Sequence, residues 1–224
     1  MKYACILFDL DGTLTDSEEG ITRCVQYALN HFGIKEDDKE ALRRFIGPPL
    51  FDSFSQYYHL PEDKAREAVT KYRERYETIG MFENKVYEGI TDVLRQLRQD
   101  GYTIILATSK PEVYANTILK RFLLAPFFHQ VVGATMDGKR DYKIDILKEI
   151  MRKNPQYEAS QFLMVGDRRY DIEGAKGCHM DSIGVTYGFG TEEELQNAGA
   201  TYIAKRPEEI VSIVFQKGKD GEVL

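Results

Sequence analysis

ILFDLDGTLTD, residues 6–16, decides how the rest of the chain is read. Its first three residues are apolar, as in a strand buried on both faces, and two carboxylates, Asp9 and Asp11, follow where that strand should end. Charge at the rim of a core is costly without a partner, so something must offset the pair.

Working outward, apolar runs of strand length occur at 4–8, 103–107, 129–134, 162–165 and 182–186. They are too continuous for a sheet with one wet face. Helical patterns lie between them. Ile90, Val93, Leu94 and Leu97 share one face ahead of Gly101, a C-cap residue, and Ile144, Leu147, Ile150 and Met151 share another. The alternation predicts a doubly wound α/β domain with a mostly parallel sheet.

Residues 17–83 break the alternation. They hold no clear strand, while Ile21, Cys24, Val25, Ala28, Leu29 and Phe32 are spaced for one helical face, and 62–78 reads as a long charged helix ending near Gly80. Gly47-Pro48-Pro49 marks a turn, and Phe51, Phe54, Tyr57 and Tyr58 are spaced for packing inside this block. The expected organisation is a core of 1–16 and 84–224 with a helical cap of 17–83. Because it starts right after the two aspartates, the cap is placed as a lid over what they bind. Near the other end, Thr191-Glu-Glu-Glu194 reads as a capping box, and the chain from Lys217 as a frayed tail.

With 42% hydrophobic and 29% charged residues in 224, the composition is that of a soluble globular protein. No apolar run approaches the roughly 18 residues that suggest a membrane span, and the early aspartates argue against a secretory signal, so the cytoplasm is expected. A net charge of -6 disfavours a nucleic-acid partner. The three cysteines, Cys5, Cys24 and Cys178, lie too far apart for a zinc site or a disulfide framework and read as small core residues. The four histidines form no ligand pattern. The expected assembly is a monomer or weak homodimer.

Ligands of open α/β sheets bind outside the carboxyl ends of the strands. Asp9 and Asp11 close the first strand, Thr108 and Ser109 the second, and Asp167 the fourth, with Asp171 four residues on. If extension continues, Asp9 and Asp11 face one side, and a helical turn after Gly166 puts Asp167 and Asp171 on one side of that turn. Converging acidic oxygens suit a hard dication such as Mg²⁺, often shared with a phosphate. One carboxylate can then attack phosphorus, while its neighbour protonates the leaving oxygen and later deprotonates water. Thr108, backbone amides and a lysine are candidates for steadying the transferring group.

The run Asp9-Leu-Asp11-Gly12-Thr13-Leu14-Thr15-Asp16 resembles the first motif of the haloacid dehalogenase superfamily of aspartate-nucleophile phosphohydrolases. Leu106-Ala-Thr108-Ser109-Lys110-Pro111 resembles its second, and Gly166-Asp167-Arg-Arg-Tyr-Asp171 its acidic fourth. The third motif is a lysine, for which Lys143, opening a helix over 143–153, is favoured over Lys139. The motifs run in the family's order from Ile6 to about Gly190, with the helical insertion at the first cap position. The resemblance implies a Rossmann-like core, Asp9 as nucleophile and magnesium ligand, and Asp11 as acid/base with its carbonyl on the metal. It implies Thr108 and Lys143 on the phosphoryl oxygens with Gly12 and Ser109 beside them, Asp167 as magnesium ligand, and Asp171 supporting the metal site. Gly47 and Pro48 fall where the family's caps carry a substrate-facing loop. The function implied is Mg²⁺-dependent hydrolysis of a small phosphate monoester, such as phosphoglycolate or a nucleoside monophosphate, through an aspartyl phosphate. The alternatives are a sugar-phosphate mutase of the β-phosphoglucomutase type and, from another class, a phospho-acceptor signalling or binding module without turnover.

Overall fold

The five apolar runs become parallel strands of a single sheet in the computed structural model, which describes residues 2–219. In chain order the strands are β1 (Cys5–Phe8), β2 (Thr15–Asp16), β3 (Lys85–Val86), β4 (Thr103–Pro111), β5 (Gln130–Ala134), β6 (Phe162–Gly166), β7 (Asp181–Val185) and β8 (Tyr202–Ala204). Six of them form the sheet β5-β4-β1-β6-β7-β8, every neighbouring pair parallel. All four residues of central β1 are buried, as a strand covered on both faces requires. Its register sets Phe8 opposite Leu106 on one side and Val165 on the other, so Asp9, Thr108 and Asp167 lie toward the same rim of the sheet.

The chain divides into two compact units, Met1–Thr15 with Val86–Leu224, and Asp16–Lys85. The first carries the sheet with α5 (Ile90–Gln99), α6 (Glu112–Arg121), α7 (Lys143–Lys153), α8 (Arg169–Gly177), α9 (Glu192–Ala198) and α10 (Pro207–Lys219). The apolar face of α5 is buried at Ile90, Val93, Leu94 and Leu97. On α7, Ile146, Leu147 and Ile150 pack in one cluster with Leu7, Ile105, Val132 and Met164, while Ile144 and Met151 are partly buried at its edge. Each such side chain contributes about 1.5–3 kcal/mol by burial, so this cluster fixes α7, and with it Lys143, to the sheet.

The second unit contains α1 (Glu18–His31), α2 (Lys39–Arg43), α3 (Leu50–Tyr58) and α4 (Glu62–Thr78). Its aromatic centre is Phe45, whose ring lies 4.8 Å from Phe54, 5.6 Å from Tyr57 and 6.0 Å from Tyr58, while Phe51 sits under Arg66. Glu83 takes ion pairs of 2.7 Å from both Arg23 and Arg75. The strands β2 and β3, where the chain passes between units, pair as a two-stranded sheet.

Several expectations are corrected. The sheet has a further strand, β8, and β4 runs four residues past its apolar stretch to Pro111. Helix α6 therefore starts at Glu112, with Pro111 before it. Helix α10 continues past Lys217 to Lys219, and the rest of the expected tail, 220–224, lies outside the described residues. All three cysteines are buried and outside any disulfide. Among the described residues no helix is long and apolar enough to cross a membrane.

Candidate active site

Beyond Phe8 the chain stops being extended. The Leu10 carbonyl accepts from the N–H groups of Thr13, Leu14 and Thr15, and Gly12 turns with a φ of 81°. This tight loop, rather than continued extension, places the two aspartates, and it gives them different partners. Asp9 Oδ1 accepts from Lys143 Nζ at 2.8 Å, and Asp11 Oδ2 lies 2.9 Å from Lys110 Nζ.

Lys143 enters from the first turn of α7 and is 5% exposed. Its ammonium also donates to the Ala107 carbonyl at 2.7 Å and pairs with Asp171 Oδ1 at 2.7 Å. Burial opposes its charge, but Asp171 and Asp9 more than offset this and hold its pKa above the usual lysine value. Lys139, the competing lysine, is exposed and paired with Asp137 at 2.9 Å. The structure thus brings Lys143, not Lys139, to the aspartates.

The fourth-motif acids come from the end of β6 and the first turn of α8. Asp171 Oδ2 accepts from Arg168 N–H at 3.1 Å, across the turn that opens the helix. Asp167 is clasped by neutral donors: Thr13 Oγ1 at 3.3 Å on Oδ1 and Phe189 N–H at 2.8 Å on Oδ2. The loop after β7 lies so close that a Cβ on Gly188 would stand 2.5 Å from Asp167 Cβ, and one on Gly12 would stand 2.1 Å from Asp167 Oδ2. Tyr187 ties this loop to the first motif by donating to the Thr13 carbonyl at 2.9 Å.

Asp9, Asp167 and Asp171 are all buried, and each offers a carboxylate oxygen within 4.8 Å of the others. Burial, then the neighbouring Asp171 and Asp9, pushes the Asp167 pKa well above the usual carboxylate value. Burial likewise raises Asp171, to about 6, against the opposing pull of Lys143. With Asp11 the site holds four carboxylates against two lysines, a formal excess of two negative charges. An all-oxygen donor set with that excess fits a hard divalent cation, which would relieve the repulsion that otherwise favours protonation.

Thr108 is buried, and its Oγ1 accepts from Lys110 N–H at 3.2 Å, which leaves its own hydrogen to donate elsewhere. Ser109 is half-buried beside it on β4. Gly47 and Pro48 are half-buried between α2 and α3 and belong to the Asp16–Lys85 unit.

Sequence reasoning missed four participants. Lys110, Thr13, the Phe189 N–H and Glu194 all act on the motif residues or on the turn that carries them. Glu194 completes only half of its expected box: Thr191 Oγ1 accepts from Glu194 N–H, but the Glu194 carboxylate turns to Arg168 Nε at 3.0 Å and Arg169 N–H at 2.9 Å. The only signals were local: a lysine directly after Thr108-Ser109, and a Gly-Phe-Gly run opening the segment before α9.

A parallel sheet with buried carboxylates and a lysine gathered at its carboxyl rim is a site for chemistry on an anionic group. The model of the haloacid dehalogenase-like hydrolases matches residues 6–185, and the chain belongs to that family. It is 45% identical over 196 residues to a 5'-nucleotidase of Pseudomonas aeruginosa, covering 88% of each protein. It is 35% identical over 199 residues to the tyrosine-protein kinase PtkA of Mycobacterium tuberculosis, covering 88% of this chain and 67% of that one. Among solved structures, a predicted phosphatase from Clostridium acetobutylicum superposes with a TM-score of 0.93 at 45% identity, over 96% of this chain and all of that one (100%). The protein is a phosphatase of this family.

Proposed function

We propose that the protein hydrolyses phosphate monoesters through an aspartyl phosphate on Asp9, with Mg²⁺ as cofactor and nucleoside 5'-monophosphates as the substrate class. The observation that carries the chemistry is the buried group of Asp9, Asp167 and Asp171, with Lys143 bound to Asp9 and Asp171. The substrate class is supported by the 45% identity, over 88% of both chains, to a protein named 5'-nucleotidase.

Asp9, Asp167 and Asp171, with the Asp11 carbonyl, would hold the cation. When bound, Mg²⁺ would neutralise the carboxylates and draw charge off the phosphoryl oxygens. The chain's own residues do the rest. Lys143 holds Asp9 by Oδ1 and so orients the carboxylate that attacks phosphorus. As the new P–O bond forms, the ester P–O bond breaks, and the leaving oxygen keeps the electron pair and takes a proton from Asp11. Thr108, with its free hydroxyl hydrogen, and the Ser109 amide are the donors offered to the phosphoryl oxygens. In the second half, Asp11 takes a proton from water as the water oxygen bonds phosphorus, and the bond to Asp9 breaks to release inorganic phosphate.

The test is a panel of phosphoglycolate, nucleoside 5'-monophosphates and sugar phosphates, assayed for released phosphate with Mg²⁺. Nucleoside 5'-monophosphates are expected to give the highest kcat/KM, and Asp9→Asn to lose at least about 10³-fold in kcat, as when a nucleophile is removed. Isomerised sugar phosphate without phosphate release would favour a mutase. Retention of full hydrolysis by Asp9→Asn would sink the mechanism.

A further inference from the structure

Lys110 of the second motif has no part in the mechanism above, yet it is built into the site. Strands β4 and β5 are in register up to Thr108, opposite Gly133, but the next pair is Pro111 with Ala134. Ser109 and Lys110 are therefore extra residues on β4, a bulge of the kind that re-aims side chains beside active sites. Gly133 makes room for it: a Cβ there would lie 2.6 Å from the Lys110 carbonyl oxygen and 2.8 Å from Glu112 N. The 3.2 Å hydrogen bond from Lys110 N–H to Thr108 Oγ1 closes the bulge from within.

The bulge turns Lys110 inward. The residue is 8% exposed, and its Nζ lies 2.9 Å from Asp11 Oδ2. The other oxygen, Asp11 Oδ1, is buried and has no hydrogen-bond partner among the described residues. One carboxylate thus has one oxygen fixed by a cation and one left open. An ammonium has donors only, so while the pair stands Oδ2 is confined to accepting, and a proton on this carboxyl sits on Oδ1.

We propose that Lys110 is the positioning residue for Asp11, holding Oδ2 so that Oδ1 is the one oxygen that exchanges a proton with the leaving group and then with water. This rests on the reading of Asp11 as the acid and base. In the first step the P–O bond to Asp9 forms, the ester P–O bond breaks, and its electron pair takes the proton from Asp11 Oδ1. In the second, Oδ1 recovers a proton from the attacking water as the bond to Asp9 breaks. Without Lys110 the carboxyl can rotate and present either oxygen, and aid to the leaving group falls.

The consequence is a dependence on leaving-group basicity, which damage to the fold alone would not produce. Phenyl phosphate and p-nitrophenyl phosphate are nearly alike in shape, but phenoxide is the more basic leaving group and needs the proton more. The quantity to compare is kcat/KM, which counts steps only through transfer onto Asp9 when that step is irreversible. With saturating Mg²⁺, Lys110→Met is expected to lose about tenfold more kcat/KM on phenyl phosphate than on p-nitrophenyl phosphate, within the range of general acid catalysis. Lys110→Arg is expected to recover part of that selectivity, and Asp11→Asn to show it more strongly. Gly133→Ala, which keeps the lysine but crowds the bulge, is expected to shift the ratio the same way and serves if Lys110→Met does not fold.

Equal losses on both esters in folded Lys110→Met, or in Gly133→Ala where that variant stands in, would overturn the inference. If Asp11→Asn itself treats both esters alike, the proton-transfer role of Asp11 fails and the inference falls with it. If Asp11→Asn discriminates and the Lys110 variants do not, only the role of Lys110 fails.

Discussion

Lys143 neutralises two buried carboxylates at once, and replacing it with methionine, which keeps the apolar stem, measures what that neutralisation contributes. Its Nζ lies 2.8 Å from Asp9 Oδ1, 2.7 Å from Asp171 Oδ1 and 2.7 Å from the Ala107 carbonyl. Removing it leaves Asp9 and Asp171 without their shared cation, in a group with Asp167 whose oxygens lie within 4.8 Å of one another. Breaking a buried ion pair by deleting one partner costs about 3–5 kcal/mol. For a chain of this length that is a fall in Tm of about 6–20 °C. The carboxylates can escape part of the cost by taking protons. Burial pushes Asp171 up to about 6 even with the lysine beside it, and losing the lysine raises it further. The fall should therefore be largest above neutral pH and at most about half as large near pH 5, where Asp171 is protonated in both proteins. Scanning calorimetry of EDTA-treated wild type and Lys143→Met at both pH values checks this. A fall below about 3 °C at neutral pH, or equal falls at both, would refute the electrostatic account.

Because the folded pKa of Asp171 lies above its unfolded value, its contribution to stability is present at low pH and lost as pH rises through about 6. The metal-free protein should lose stability across about pH 4–6, and Mg²⁺ at about 100 times its Kd should raise Tm by roughly 5–11 °C at neutral pH but little at pH 5, in paired thermal melts. Asp167→Asn removes a fully buried carboxylate held by neutral donors, so it should raise the metal-free Tm at neutral pH while erasing most of the Mg²⁺-dependent shift; a lower metal-free Tm would count against unrelieved charge at Asp167. At the opposite, amino end of the strands, Tyr3 donates to Asp181 at 2.5 Å and lies 3.1 Å from the Tyr202 hydroxyl. Tyr3→Phe should cost about 1–3 kcal/mol by chemical denaturation and leave kcat unchanged, since it disturbs only that end.

The fold was legible where burial is two-sided. Runs such as Ile104 to Ala107 and Leu163 to Val165 must be apolar throughout to sit between helix layers, and that constraint is visible in one dimension. Strand β8 escaped because it is three residues long, and Tyr202 and Ile203 are only half-buried at the sheet edge. The bulge in β4 escaped for a different reason: it depends on Gly133 in the neighbouring strand, and no pattern within β4 reports a missing Cβ opposite. At the site, Asp9, Asp11 and Asp167 stood out because acids at strand ends are conspicuous. Lys143 was reached only through the family resemblance, because a lysine in the first turn of a helix is ordinarily solvated. Its burial comes from α7 docking through Ile146, Leu147 and Ile150, a long-range packing fact. Glu194 was legible as a cap residue but not as the partner of Arg168, which lies 26 positions away.

Residue type alone makes the four carboxylates equivalent; their partners separate them. Asp9 and Asp171 share Lys143, so each is partly neutralised by a cation that is also tied to the Ala107 carbonyl of β4. Asp11 has Lys110 on one oxygen and an open Oδ1 on the other, which suits the proton-carrying role proposed for it. Asp167 receives hydrogen bonds from the Thr13 hydroxyl and the Phe189 N–H, while the guanidinium of adjacent Arg168 is drawn off to Glu194. Neutral donors fix the position of Asp167 without cancelling its charge, so a carboxylate there has the most to gain from a cation. A cation drawn there would sit beside Asp9 and Asp171 as well, because the three lie within 4.8 Å of one another. Glu194 pairs with Arg168 Nε at 3.0 Å, so the guanidinium next in sequence to Asp167 has a carboxylate partner of its own, and the hydrogen bonds on Asp167 come from neutral groups.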